Sequence, residues 1–158
     1  MAVKAGKEVV EALNEILTAE LTAVNQYFLH AKMMQNWGYL RLYKKIYEES
    51  IDEMRHADRL IDRILYLDGL PNVQRLGRVR IGENPKEIFE SDLKLELEAI
   101  PRLNETLAFV REHVDHGTRH LLEEILVSEE EHLDWIEAQL HMMNEVGIPQ
   151  YLAEQIHE

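Results

Sequence analysis

Residues 49–60 read ESIDEMRHADRL, and this stretch decides the fold. The apolar positions around it, Leu42, Ile46, Leu60, Ile64 and Leu67, recur at steps of three or four. That period predicts one helix over about Leu40 to Leu67. The same stripe passes through Glu49, Glu53 and His56, where an amphipathic helix would carry leucine. Glu53 and His56 stand at i, i+3, so their side chains lie on one face, a turn apart. Unpaired carboxylates in an apolar core cost several kcal/mol each. A helix with this seam needs something at the bundle centre that neutralises it.

The pattern repeats further along the chain. Glu129 and His132, also at i, i+3, interrupt the stripe Leu122, Ile125, Ile136, Leu140 and Met143 of a helix over about Thr118 to Val146. Glu20 interrupts Val10, Leu13, Leu17, Val24 and Tyr27 in a helix over Lys7 to Asn36. Glu96 interrupts Phe89, Leu93, Ile100, Leu103, Leu107 and Val110 in a helix from Pro85 to about His113. Glu20 to Glu53 and Glu96 to Glu129 are both 33 residues apart. The midpoints of these intervals fall at Trp37-Gly38 and just before the turn near Val114 to Gly117. Within each helical hairpin the two glutamates therefore sit at one height.

Punctuation agrees with these bounds. Gly38 suits a helix C′ position, Asp68-Gly69 stops the second helix, and Asn84-Pro85 reads as N-cap and N1. Gly147 ends the fourth helix, and Pro149 opens a short fifth to about Ile156. Helices of about 28 residues are about 42 Å long. The connection over residues 69–84 can span about 53 Å, the whole length of such a bundle. The chain is thus all-α: a single ferritin-like domain over 1–158, a four-helix bundle with one long crossover and a short C-terminal helix. Pro101 inside the third helix predicts a bend or bulge between Leu97 and Pro101.

Composition narrows the function. The 30 acidic residues outnumber 17 basic ones, for a net charge of -13, which argues against binding nucleic acid and for attracting cations. The absence of cysteine excludes disulfides, thiolate metal sites and cysteine nucleophiles. Scattered charges from Met1 to Leu17 leave no apolar block of signal-peptide length, and no run approaches a membrane span. The expectation is a cytoplasmic protein without a membrane partner.

The seam residues point to metal. Four glutamates and two histidines share one level with no Lys or Arg on the seam beside them. Two divalent cations balance four carboxylates, and imidazoles complete the shell. A Glu from each of two helices plus Glu-x-x-His from each of the other two is the di-iron or di-manganese carboxylate arrangement. Such ligands suit Fe, Mn and Zn. The candidate ligands are Glu20, Glu53, His56, Glu96, Glu129 and His132. Glu49 either supports the ligands from behind or leans out of the seam with Glu48 and Asp52, and it is read as facing solvent or a cavity; Glu130 and Glu131 are read as solvated.

Four segments carry a family resemblance: LNEILTAELTAVNQYFLHAKM, ESIDEMRHADRLIDRILYLDGLPN, IGENPKEIFESDLKLELEAI and EEILVSEEEHLDWIEAQL. Together they resemble the bacterioferritins, the haem-containing branch of the ferritins, over nearly the whole chain. The resemblance implies a ferroxidase centre of two irons per chain. Glu53 and Glu129 would bridge the irons, Glu20 with His56 and Glu96 with His132 would be terminal, and Tyr27 would support the ligands. It implies Met54 from each of two chains as axial ligands of one haem b per two chains. It also implies a 24-subunit shell built from two-fold dimers, Fe²⁺ with O₂ or H₂O₂ as substrates, and an iron-sulfur ferredoxin for iron release. Some members bear a histidine where Glu48 stands, forming an inner-wall iron site with the equivalent of Asp52. Here Glu48 and Asp52 are an i, i+4 carboxylate pair.

Two other functions compete with iron storage and ferroxidase activity. A di-metal oxygenase or peroxidase of the rubrerythrin type would retain its metal, but rubrerythrins carry a cysteine-ligated domain and this chain has no cysteine. A helical interaction module with structural zinc is disfavoured by a glutamate-rich, thiol-free site.

Overall fold

A computed structural model describes residues 6–158. Residues 1–5, the start of the segment expected to carry no targeting signal, lie outside the described residues. Five helices follow in order: α1 (Lys7–Trp37), α2 (Leu40–Tyr66), α3 (Pro85–Glu112), α4 (His116–Val146) and α5 (Ile148–Ala153). No strand occurs among the described residues, and none of their helices is long and apolar enough to cross a membrane. α1 packs on α2 and α3 on α4 as hairpins, and the two hairpins meet along α1–α3 and α2–α4.

The ends form where the side chains satisfy them. Gly38, at φ 91°, takes the left-handed conformation that closes α1. At the end of α2 that conformation falls to Asp68, φ 63°, while the Gly69 N–H bonds the Ile64 carbonyl at 2.9 Å. The Asn84 side chain caps α3 by accepting from the Glu87 N–H at 2.9 Å. α4 starts at His116, two residues before the expected Thr118, because Asp115 accepts from both the N–H and the hydroxyl of Thr118. α3 runs unbroken through Pro101, so the proline does not end it. α5 stops at Ala153 rather than near Ile156. The chain turns there, and the Gln155 carbonyl accepts the Arg41 N–H at 3.0 Å instead of continuing the helix.

The crossover, residues 67–84, is fixed along α1. Asn14, Thr22, Gln26 and His30 accept from the backbone N–H groups of Asn72, Gly77, Arg80 and Gly82 at 2.8, 2.8, 3.0 and 3.0 Å. A Cβ at Gly82 would lie 2.3 Å from the Ile88 nitrogen, so only glycine admits this approach. The core divides in two. One apolar cluster holds Leu17, Leu60, Leu103 and Ile125, the other Tyr27, Ile46, Phe89 and Ile136. Between them lies a layer of buried polar side chains.

Candidate metal centre

Each helix of the bundle contributes to that layer where its stripe passes from one apolar cluster to the other. Glu20 comes from α1, Glu53 and His56 from α2, Glu96 from α3, and Glu129 and His132 from α4, and all six are buried. His56 Nδ1 lies 3.4 Å from Glu20, 3.7 Å from Glu53 and 3.3 Å from Glu129. His132 Nδ1 lies 3.0 Å from Glu53, 3.9 Å from Glu96 and 3.8 Å from Glu129. Two groups of four could each hold a metal ion: Glu20, Glu53, His56 and Glu129, and Glu53, Glu96, Glu129 and His132. In each group the ligand atoms lie within 4.8 Å of one another, and the groups share Glu53 and Glu129.

Electrostatically the layer is poorly satisfied as a protein-only structure. Single atoms of Glu49, Glu53, Glu96, Glu129 and His132 are buried without a hydrogen-bond partner. His132 Nδ1 and Glu53 Oε1 are close, but too poorly aligned to pair. Burial and the neighbouring carboxylates push Glu129 well above the usual range, and burial also raises Glu96. Burial opposes the charge of Glu53 as well, but the two imidazoles beside it outweigh burial and hold it low. Burial likewise disfavours the His132 cation, yet Glu53, Glu49 and Glu96 raise it to about 9. The group retains protons that a divalent cation would displace.

Tyr27 donates its hydroxyl to Glu96, not to Glu20, and burial together with Glu96 raises the phenol well above its ordinary value. Glu49 is not solvated. It is 1% exposed, because the step Ile46–Glu49–Glu53 keeps it on the buried stripe, and burial pushes its carboxyl up to about 8. Glu48, Glu130 and Glu131 are exposed. Asp52 reaches from the surface toward the layer, with Oδ2 3.6 Å from His132 Nε2 and Oδ1 3.3 Å from Arg55. Met54 is 44% exposed on the outer face of α2. Two turns earlier on the same stripe, the Tyr47 ring packs against Phe28 at 5.7 Å, tilted by 49°, beside a cleft lined by Val24, Leu29, Val79 and Ile81.

Sequence reasoning missed a polar network behind Tyr27. His30 Nε2 accepts from Gly82, so its Nδ1 donates to Asp92, 2.8 Å away, and Asp92 also accepts from Gln26 at 2.9 Å. The available signal was the polar run Asn14, Thr18, Thr22, Gln26, His30 at steps of four on α1.

A four-helix bundle with a crossover and a buried carboxylate–imidazole layer defines the ferritin-like class, and the pattern of the ferritin-like domain family matches residues 10–146. The bacterioferritin of Mycobacterium tuberculosis is 50% identical over 147 residues, 93% of this chain and 92% of that protein. That of Streptomyces coelicolor is 50% identical over 151 residues, 96% of this chain and 90% of that protein. That of Brucella melitensis is 44% identical over 148 residues, 94% and 92% of the two chains. The chain belongs to the bacterioferritins.

Proposed function

We propose that this chain is a subunit of a cytoplasmic iron-storing shell and oxidises Fe²⁺ at the buried layer. The observation that supports this reading is the pair of four-residue groups sharing Glu53 and Glu129. Two Fe²⁺ ions are the substrate, and four carboxylates balance their charge. Glu53 and Glu129 are shared between the two ions, Glu20 and His56 serve one, and Glu96 and His132 the other. Each Fe²⁺ gives up one electron. Hydrogen peroxide accepts both as its O–O bond breaks to two hydroxide ions, or O₂ accepts both with two protons and leaves as hydrogen peroxide. The Tyr27 hydroxyl holds Glu96 in place. Glu48 and Asp52, an i, i+4 carboxylate pair on α2, are read as a further iron site beside the layer, and Asp52 reaches His132.

The experiment is oxidation of Fe²⁺ by Glu129→Ala, followed by ferric absorbance. The variant should fold and oxidise at least about tenfold more slowly, the scale of losing one charge-assisted ligand. Equal rates would overturn the assignment.

Exposure of Met54 supports a haem-binding reading of the outer face. Met54 offers a soft, neutral thioether on an exposed stripe bordered by Phe28 and Tyr47, where a second copy related by a two-fold would present the same patch. Haem b bound there would supply one-electron transfer between a ferredoxin outside the 24-subunit shell and the stored iron. Met54→Leu keeps the volume and removes the sulfur. The variant should assemble and oxidise Fe²⁺ but lose the Soret band, and a retained bis-methionine spectrum would refute the ligand role.

A further inference from the structure

A cleft of about 320 Å³ opens between α1 and α3 beneath the crossover and leads to the buried layer. Its lining includes Glu20, Glu53, Glu96 and Glu129 at the inner end. Its outer end is basic. Arg75, Arg78, Arg80 and Arg102 line it together with the acids Glu15 and Glu98. Arg75 pairs with Glu15 at 2.5 Å and Arg80 with Glu98 at 3.3 Å, which cancels those charges. Arg78 and Arg102 have no ion pair among the described residues. The mouth therefore keeps two uncompensated positive charges on a chain whose net charge is -13.

The opposite side of the layer lacks that positive excess. From α2, exposed Glu48 and half-exposed Asp52 lead to buried Glu49 and to His132, whose Nε2 is 3.6 Å from Asp52. Two cations attend this side: Arg55 pairs with the far oxygen of Asp52, and Lys45 acts on Glu49. The exposed carboxylates Glu48 and Asp52 balance these two cations, so this side carries none of the positive excess of the cleft mouth.

We propose that the arginine-lined cleft is the route of the neutral oxidant, that Arg78 and Arg102 exclude Fe²⁺ from it, and that the cation reaches the layer from the α2/α4 side. The inference rests on the reading of the layer as an iron-oxidation site. A narrow cleft with low-dielectric walls focuses the field of its mouth, and a divalent ion feels that field twice over. O₂ and hydrogen peroxide carry no charge at neutral pH and pass it freely. The arrangement separates the two substrates by charge before they meet.

The test uses the assembled protein with Co²⁺ as probe, its binding followed anaerobically through its visible absorption. The double reversal Arg78→Glu with Arg102→Glu should raise the Co²⁺ on-rate about tenfold at low salt, and the gain should disappear near 0.5 M salt as screening shortens the field. A second variant, Ala99→Phe, narrows the cleft beside the layer without altering charge. It should leave Co²⁺ binding unchanged and slow peroxide oxidation of preloaded Fe²⁺ at least about tenfold. An unchanged Co²⁺ on-rate in the reversal variant overturns the proposal. So does a narrowed cleft that slows Co²⁺ binding as much as oxidation. A parent that binds no Co²⁺ overturns the iron-site reading itself, which separates the two failures.

Discussion

Glu49 and His132 show how single residues couple metal to stability. Glu49 titrates near 8 in the folded chain against an ordinary 4.5, and His132 near 9 against 6.5. Between pH 4.5 and 8 the folded state holds a proton on Glu49 that the unfolded state has lost. Between 6.5 and 9 the same holds for His132. The unfolded state thus binds fewer protons across the window, and stability falls as pH rises. The depressed Glu53 acts oppositely, but only as pH falls below 4.5. Metal-free protein should therefore melt at progressively lower temperature from pH 5 to pH 9, and stabilisation by Zn²⁺ should grow over the same range. Calorimetry with chelator and with Zn²⁺ checks this, and a metal-free melting temperature that climbs from pH 5 to 9 would contradict it. The positions of Glu20, Glu53, His56, Glu96, Glu129 and His132 were legible because helical spacing fixes height and face together. The burial of Glu49 was equally implied by its register. Of the two positions open to it, the outward one was favoured because charge was weighed above position, although a carboxyl raised to about 8 can sit there protonated.

The turn between α3 and α4 carries a conformational cost at the level of elements. Val114 sits at φ 54°, in the left-handed region, and its β-branched side chain is 72% exposed. Nothing in its packing requires valine. Val114→Gly should raise stability by about 1 kcal/mol, the usual penalty of this conformation for an L-residue less the entropy glycine adds to the unfolded chain. Thermal melting of the two proteins under one condition checks this, and a lower melting temperature for the variant would show that the valine makes a compensating contact. The sequence marked this turn by its broken apolar period but not its left-handed residue, and Gly117, its glycine, lies inside α4. The crossover was legible in length and not in path. Its anchors are polar side chains of α1 spaced four apart, a face that reads as ordinary solvated surface until another segment covers it.

Exposed apolar side chains gather in two places among the described residues. Phe28, Leu29 and Met54 are each near half exposed on the outer face of the first hairpin, and Leu70, Val73 and Leu76 are exposed along the crossover. The C-terminal segment divides its side chains between two roles. Tyr151 is buried, donates to Gln139 at 2.5 Å and belongs to the chain's own core, whereas Ile156 is 51% exposed. Truncation after Gly147 would thus remove core as well as surface, and any loss of assembly would be confounded by loss of packing. A single exposed position separates the two. Ile156→Glu places a charge on an exposed apolar side chain of the tail, a surface free for contact between copies in the proposed shell, and touches none of the hydrogen bonds that dock α5. Helix content and melting of the isolated chain should be unchanged, while sedimentation should shift toward smaller species, more so at low salt, where the added charges repel over a longer range. A sedimentation profile identical to the parent at every salt concentration would show that the tail lies outside the contacts that build the shell.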